Sequence, residues 1–77
     1  MSVLRFYTAF GDIDLKSRPK RRKATAHIVG MLECIRNEEE AYLERIPENF
    51  HGGEAYDAAE SSVSMLNDAI DALSDAF

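Results

Sequence analysis

Between Tyr56 and Phe77 the apolar residues recur at alternating steps of three and four: Tyr56, Ala59, Val63, Leu66, Ile70, Leu73 and Phe77. That spacing puts all seven on one side of an α-helix and holds for three heptads. A helix with one apolar stripe has to cover it, so the segment requires a neighbour along its whole length. Ala55, Ser62, Ala69 and Ala76 flank the stripe and let that neighbour approach closely.

The neighbour is read just upstream. Ile28, Leu32, Ile35, Tyr42 and Ile46 keep steps of four, three, seven and four, with Glu39 at the skipped position and Met31 and Leu43 widening the stripe. Ser17-Arg18-Pro19 has the capping hydroxyl and early proline of a helix start. Pro47 ends the helix, and Asn49 with Gly52-Gly53 supplies a turn. So short a connection makes the two helices antiparallel neighbours. Upstream again, residues 3–16 alternate as strands do. Leu4, Phe6, Thr8 and Phe10 share one face, Arg5, Tyr7 and Ala9 the other, and Gly11-Asp12 suits a two-residue turn. The expected fold is mostly α: a single domain over 1–77, with a β-hairpin arm (about 3–16) preceding an antiparallel helical hairpin (about 19–46 and 54–77).

Two helices cannot enclose a core. A chain of 77 residues with one cysteine has no internal disulfide to compensate. Self-association is the expected remedy, most simply a two-fold dimer forming a four-helix bundle. Its interface is expected from Tyr56, Val63, Leu66, Ile70, Leu73 and Phe77, with Ile28, Leu32 and Ile35 of the first helix. No apolar run approaches the roughly 18 residues of a membrane span. No basic leader with an apolar segment opens the chain, and the expected location is the cytoplasm of a bacterial host cell.

The net charge of −5 conceals an asymmetry: residues 1–23 carry +5 and residues 24–77 carry −10. Lys16, Arg18, Lys20, Arg21, Arg22 and Lys23 place six cations in eight residues, where a helix begins and its dipole already adds positive charge. Two readings follow. Either the run holds an anionic ligand, with Tyr7 and His27 assisting, or it is a solvated face partly paired with the protein's own acids. Folding about residue 50 brings Asp75 within reach of Lys23 and leaves Lys16 to Arg22 beyond the second helix. Phe6, Tyr7 and Phe10 offer stacking faces for bases, although packing of the arm onto the helices is their more ordinary use. The acids around the turn, from Glu38 to Glu60, either imitate a phosphate backbone or form a solvating exterior, the more ordinary reading.

Catalytic and metal chemistry are not expected. Glu48-x-x-His51 has the spacing of a carboxylate–histidine metal pair, but Pro47 and Gly52-Gly53 deny it the regular helix such a pair needs. Cys34 has no histidine or acid at a ligand spacing. No glycine-rich phosphate loop, nucleophile elbow or HExxH is present. Glu39, in the seam, is read as a register-setting residue or a partner for Arg36 or Arg45. No cofactor is expected.

The segment Asn37-Glu-Glu-Glu-Ala-Tyr-Leu-Glu-Arg-Ile-Pro-Glu-Asn, with Gly53-Glu-x-Tyr-x-Ala-Ala-Glu60 and Leu66-x-x-Ala-Ile-x-Ala-Leu73, resembles small acidic helical-hairpin proteins of Firmicutes phages and mobile elements. The likeness covers residues 37–77 and implies a scaffold and no activity. In size and composition the chain is also similar to phage-encoded inhibitors of bacterial defence, such as anti-CRISPR proteins and signal-nucleotide sponges. The function expected is therefore non-catalytic binding: occupation of a host defence protein, nucleotide or nucleoprotein through the basic segment. The alternatives are a DNA- or RNA-binding accessory protein and a structural helical adaptor.

Overall fold

The computed structural model describes residues 15–77 in full and the main chain of residues 5–8 and 11–14. That main chain is given as two short strands, β1 (Arg5–Thr8) and β2 (Gly11–Asp14), with Arg5 opposite Asp14 and Thr8 opposite Gly11. The arm's side chains, including those of Phe6 and Tyr7, and residues 1–4, 9 and 10 lie outside the described residues. The rest is two long helices, α1 (Arg18–Arg45) and α2 (Glu54–Ser74), packed as a hairpin.

Each helix boundary has a local cause. Ser17 is extended, and its hydroxyl accepts from the Lys20 amide at 3.3 Å, while Pro19 sits in the first turn where no amide proton is needed. At the other end Ile46 is extended and bonds back to the Leu43 carbonyl at 3.2 Å, as the residue before a proline must leave the helical region. A single 3-10 turn, Glu48–Phe50, reverses the chain. Gly53 then caps α2 with its carbonyl accepting from the Asp57 amide, and its own amide donates to the Phe50 carbonyl at 3.0 Å. A Cβ at position 53 would stand 3.3 Å from that same carbonyl oxygen, so the tight return favours glycine. Helix α2 ends at Ser74, short of the expected residue 77, where the Asp75 amide bonds to the Asp71 and Leu73 carbonyls.

The core is thin. Among the described residues Ala24, Ala59 and Ile70 are the only buried apolar ones. The radius of gyration is 16.4 Å, against about 11.5 Å for a compact domain of this length. In α2 the expected stripe turns inward: Tyr56, Val63, Leu66 and Leu73 are half-buried beside Ala59 and Ile70. Helix α1 divides its apolar residues. Val29, Leu32, Leu43 and Ile46 are half-buried, whereas Ile28, Met31, Ile35 and Tyr42 are exposed. Apart from Gly30 and Ala41, the half-buried positions of this stretch fall at 25, 29, 32, 36, 39, 43 and 46, alternating four and three, so they form the seam against α2. The exposed set lies about 100° further round the same helix.

Within the seam, position 36 is an arginine. Its Nη1 donates to Asn67 Oδ1 of α2 at 3.0 Å, Nε and Nη2 donate to Asn37 Oδ1, and Nε lies 3.4 Å from Glu40. Arg36 therefore pairs with Glu40 and not with Glu39, which is half-buried in the seam with no ion pair to a described residue.

Ala59 is 1% exposed, the most enclosed described side chain. Leucine there has no room, and Ala59→Leu is expected to lower stability by about 1–3 kcal/mol. Thermal melting followed by circular dichroism checks this; an unchanged midpoint would mean that the helices do not meet closely at this level.

Candidate functional site at the basic end

The six cations gather where α1 begins and α2 ends. No acid stands in the first turn of α1, so the helix dipole and the basic side chains add in sign. Register sets which acids are near. The Arg36–Asn67 bond aligns positions adding to 103, and the cleft described below brings Thr25, Ala26 and Val29 together with Leu73, Ser74 and Phe77, in keeping with that register. Asp75 thus stands level with His27, and Lys23 forms no ion pair with it or with any other described acid. The expected Lys23–Asp75 contact is not made, because α2 is shifted about one half-turn from the register supposed.

The cations have different surroundings. Arg18 stacks over the Phe77 ring, its guanidinium carbon 5.0 Å from the ring centroid. Arg21 donates from Nη1 to the Leu15 carbonyl at 3.1 Å, tying the entry segment to the helix, and its own carbonyl accepts from the Thr25 hydroxyl at 2.9 Å. Lys16, Lys20 and His27 also make polar or electrostatic contacts. Arg22 and Lys23 are exposed and form no ion pair among the described residues. The run is therefore divided: Arg18 and Arg21 hold structure, and Arg22 and Lys23 face solvent.

Arg22 borders an open cleft of about 310 Å³ between the helices, lined also by Thr25, Ala26, Val29, Leu73, Ser74 and Phe77. The apolar part comes from Val29, Leu73 and Phe77, and two hydroxyls and a guanidinium stand around it. This combination, an apolar floor with a cation and hydroxyls at the rim, suits a ligand with a flat apolar part and a negative group. Neither the Arg18–Phe77 stack nor the cleft was visible in sequence, since both depend on where α2 stops relative to α1. The one available signal was Phe77 closing the α2 stripe.

The expected oligomer-interface residues separate by helix face. Tyr56, Val63, Leu66, Ile70 and Leu73 pack within the hairpin together with Leu32, whereas Ile28, Ile35 and Phe77 remain exposed. At the opposite end His51 is occupied locally: its Nε2–H donates to the Ile46 carbonyl at 3.0 Å and its ring stacks on Tyr56 with centroids 4.4 Å apart. This clasps the turn. Among the described residues no three histidine, cysteine, aspartate or glutamate side chains converge as a metal site, and no helix is long and apolar enough to cross a membrane. Cys34 is a free, exposed thiol. Compared with family models, curated proteins and solved structures, the chain matches none.

The Arg18–Phe77 stack gives a prediction. Arg18→Ala, Phe77→Ala and the double variant, melted in parallel, are expected to show a coupling of about 0.5–1 kcal/mol. Additive losses would mean that the two side chains do not interact in solution.

Proposed function

We propose that the chain is a non-catalytic binding protein whose basic end captures the phosphates of a nucleic acid, on a helical hairpin that pairs with a second copy. The observation that carries the reading is that Arg22, which lines a partly apolar cleft, and its neighbour Lys23 form no ion pair with any described acid. Arg22 and Lys23 meet phosphate oxygens, Arg22 with the option of a bidentate contact. An unstacked base rests on Val29, Leu73 and Phe77, with Thr25 and Ser74 at its edge. In this reading Lys16 and Lys20 add to the positive charge of this end.

The acidic body does not cancel this site. Helix α1 is 28 residues long, hence about 42 Å. Most of the acids crowd the turn, several screening lengths of about 8 Å from the basic end. Asp71 and Asp75 are the acids that the α1–α2 register brings near, and the net charge of +5 over residues 1–23, Asp12 and Asp14 included, exceeds theirs. Residues 37–77 resemble helical-hairpin proteins of phages and mobile elements. In such a setting capture of a nucleic acid, or of the nucleoprotein of a host defence system, acts by occupation and needs no chemistry.

Binding of labelled single- and double-stranded DNA across a salt series tests the reading. Affinity is expected to fall with salt, and Arg22→Ala with Lys23→Ala to reduce the slope of log affinity against log salt by about 2 on duplex DNA. Arg18→Ala, whose guanidinium is engaged by Phe77, is expected to lower stability and leave that slope nearly unchanged. No binding at low salt, or a slope insensitive to Arg22 and Lys23, would overturn the proposal.

A further inference from the structure

Helix α1 has two apolar faces and α2 covers one of them. On the other, Ile28 is 48% exposed, Met31 44%, Ile35 50% and Tyr42 41%. Ile28, Ile35 and Tyr42 are seven residues apart, with Met31 at the first intervening step and Glu38 at the second, which is the spacing of a helix–helix seam interrupted by one carboxylate. We propose that this face is the dimer interface: a second copy of the chain seats its own Ile28–Tyr42 stripe there, antiparallel, about a two-fold axis near Ile35. The inference rests on self-association of the hairpin and is independent of what the basic end binds.

Charge selects both the occupant and the direction. With the axis near Ile35, facing positions add to about 70, so the basic turn of one copy lies beside the acidic end of the other. Arg21 then lies about a turn and a half from the partner's Glu44, the last acid on α1, and the partner's Glu48 follows in the turn just beyond that helix end. A parallel pair would instead place the two basic ends together and the two acidic ends together, which like-charge repulsion opposes. The chain is its own complement: a cationic end and an acidic end at either limit of one apolar stripe.

Area is consistent with this occupant. Side chains of this size expose on the order of 200 Å² when fully open, so the four expose on the order of 400 Å² per copy. The pair would cover about 800 Å² from these residues alone. The flanking lysines, arginines and glutamates bring the total toward the roughly 1,200 Å² of a specific interface. The two faces of α1 are about 100° apart, so the assembly would be a four-helix arrangement in which each α1 touches its own α2 and the partner's α1.

Sedimentation of the full chain over a concentration series, with circular dichroism to report helicity, tests the face. The wild-type chain is expected to be dimeric, and Ile35→Glu to raise the dimer dissociation constant about a hundredfold or more with helicity retained, since position 35 lies outside the α1–α2 seam. A monomeric wild type overturns self-association altogether. A dimeric, helical Ile35→Glu chain overturns this face and leaves self-association standing. Direction is read by cross-linking, which also decides the matter should Ile35→Glu lose helicity. In a Cys34→Ser background, chains carrying Ile28→Cys are expected to form disulfides with chains carrying Tyr42→Cys, positions that the antiparallel register sets opposite each other on α1, and not among themselves. Self-linking of Ile28→Cys chains, or the absence of the mixed product, overturns the antiparallel pairing.

Discussion

The hairpin depends on the contact between the two helix stripes, and that contact is narrow. A pair of helices has no interior that both can surround; each buries one strip and leaves the rest in water. The result is a rod with three buried apolar residues among those described and a radius of gyration well above that of a compact domain. In so thin a core a polar contact carries unusual weight. The Arg36–Asn67 bond sits in the α1 seam between Leu32 and Leu43, where leucine would give more apolar burial but no preference for one alignment of the helices. A hydrogen bond between fixed positions penalises a slip by one heptad, because Arg36 would lose its partner within a half-buried seam. The register it helps set decides which residues stand together at the basic end.

From that register the electrostatics follow. The same register brings Val29 and Thr25 of α1 to one cleft with Leu73 and Phe77, and Phe77 lies under Arg18. The chain end is thereby held against the first turn of α1, and Arg18 gains a partner that is not an acid. Arg21 is turned toward the Leu15 carbonyl and anchors the segment entering the helix. A basic run that looks homogeneous in one dimension has, in three, different tasks on successive residues, because they leave a helix at 100° intervals.

Sequence and structure agree where one periodicity governs a segment. The α2 stripe from Tyr56 to Leu73 is legible because every member serves the same face, and the caps at Ser17 and Pro47 are legible because their chemistry is local. Helix α1 was harder to read for a physical reason. Two stripes overlap there one residue apart, so Ile28 and Val29, or Tyr42 and Leu43, both satisfy a loose helical pattern. A single best-fitting series then mixes Leu32 and Ile46 of the inner face with Ile28, Ile35 and Tyr42 of the outer one. At the basic end the residue types were legible and their partners were not: Phe77 over Arg18, and the cleft beside Arg22, follow from the relative lengths of two helices, which no local motif encodes.

The two faces of α1 make different demands on evolution of such a chain. The inner face tolerates a charged residue at 36 because Asn67 answers it within the same molecule. The outer face has no such answer among the described residues: Ile28, Met31, Ile35 and Tyr42 are exposed, and Glu38 and Arg45 fall at the next steps of the same stripe. Four large apolar residues exposed on one stripe cost solubility in the single chain, and pairing of this face with a second copy, as proposed, would offset that cost. Because the cationic and acidic ends sit at opposite limits of the same stripe, association in the antiparallel sense also lowers the repulsion within each cluster. Packing and charge therefore favour the same arrangement, and it would present the Arg22 cleft once at each end of the assembly.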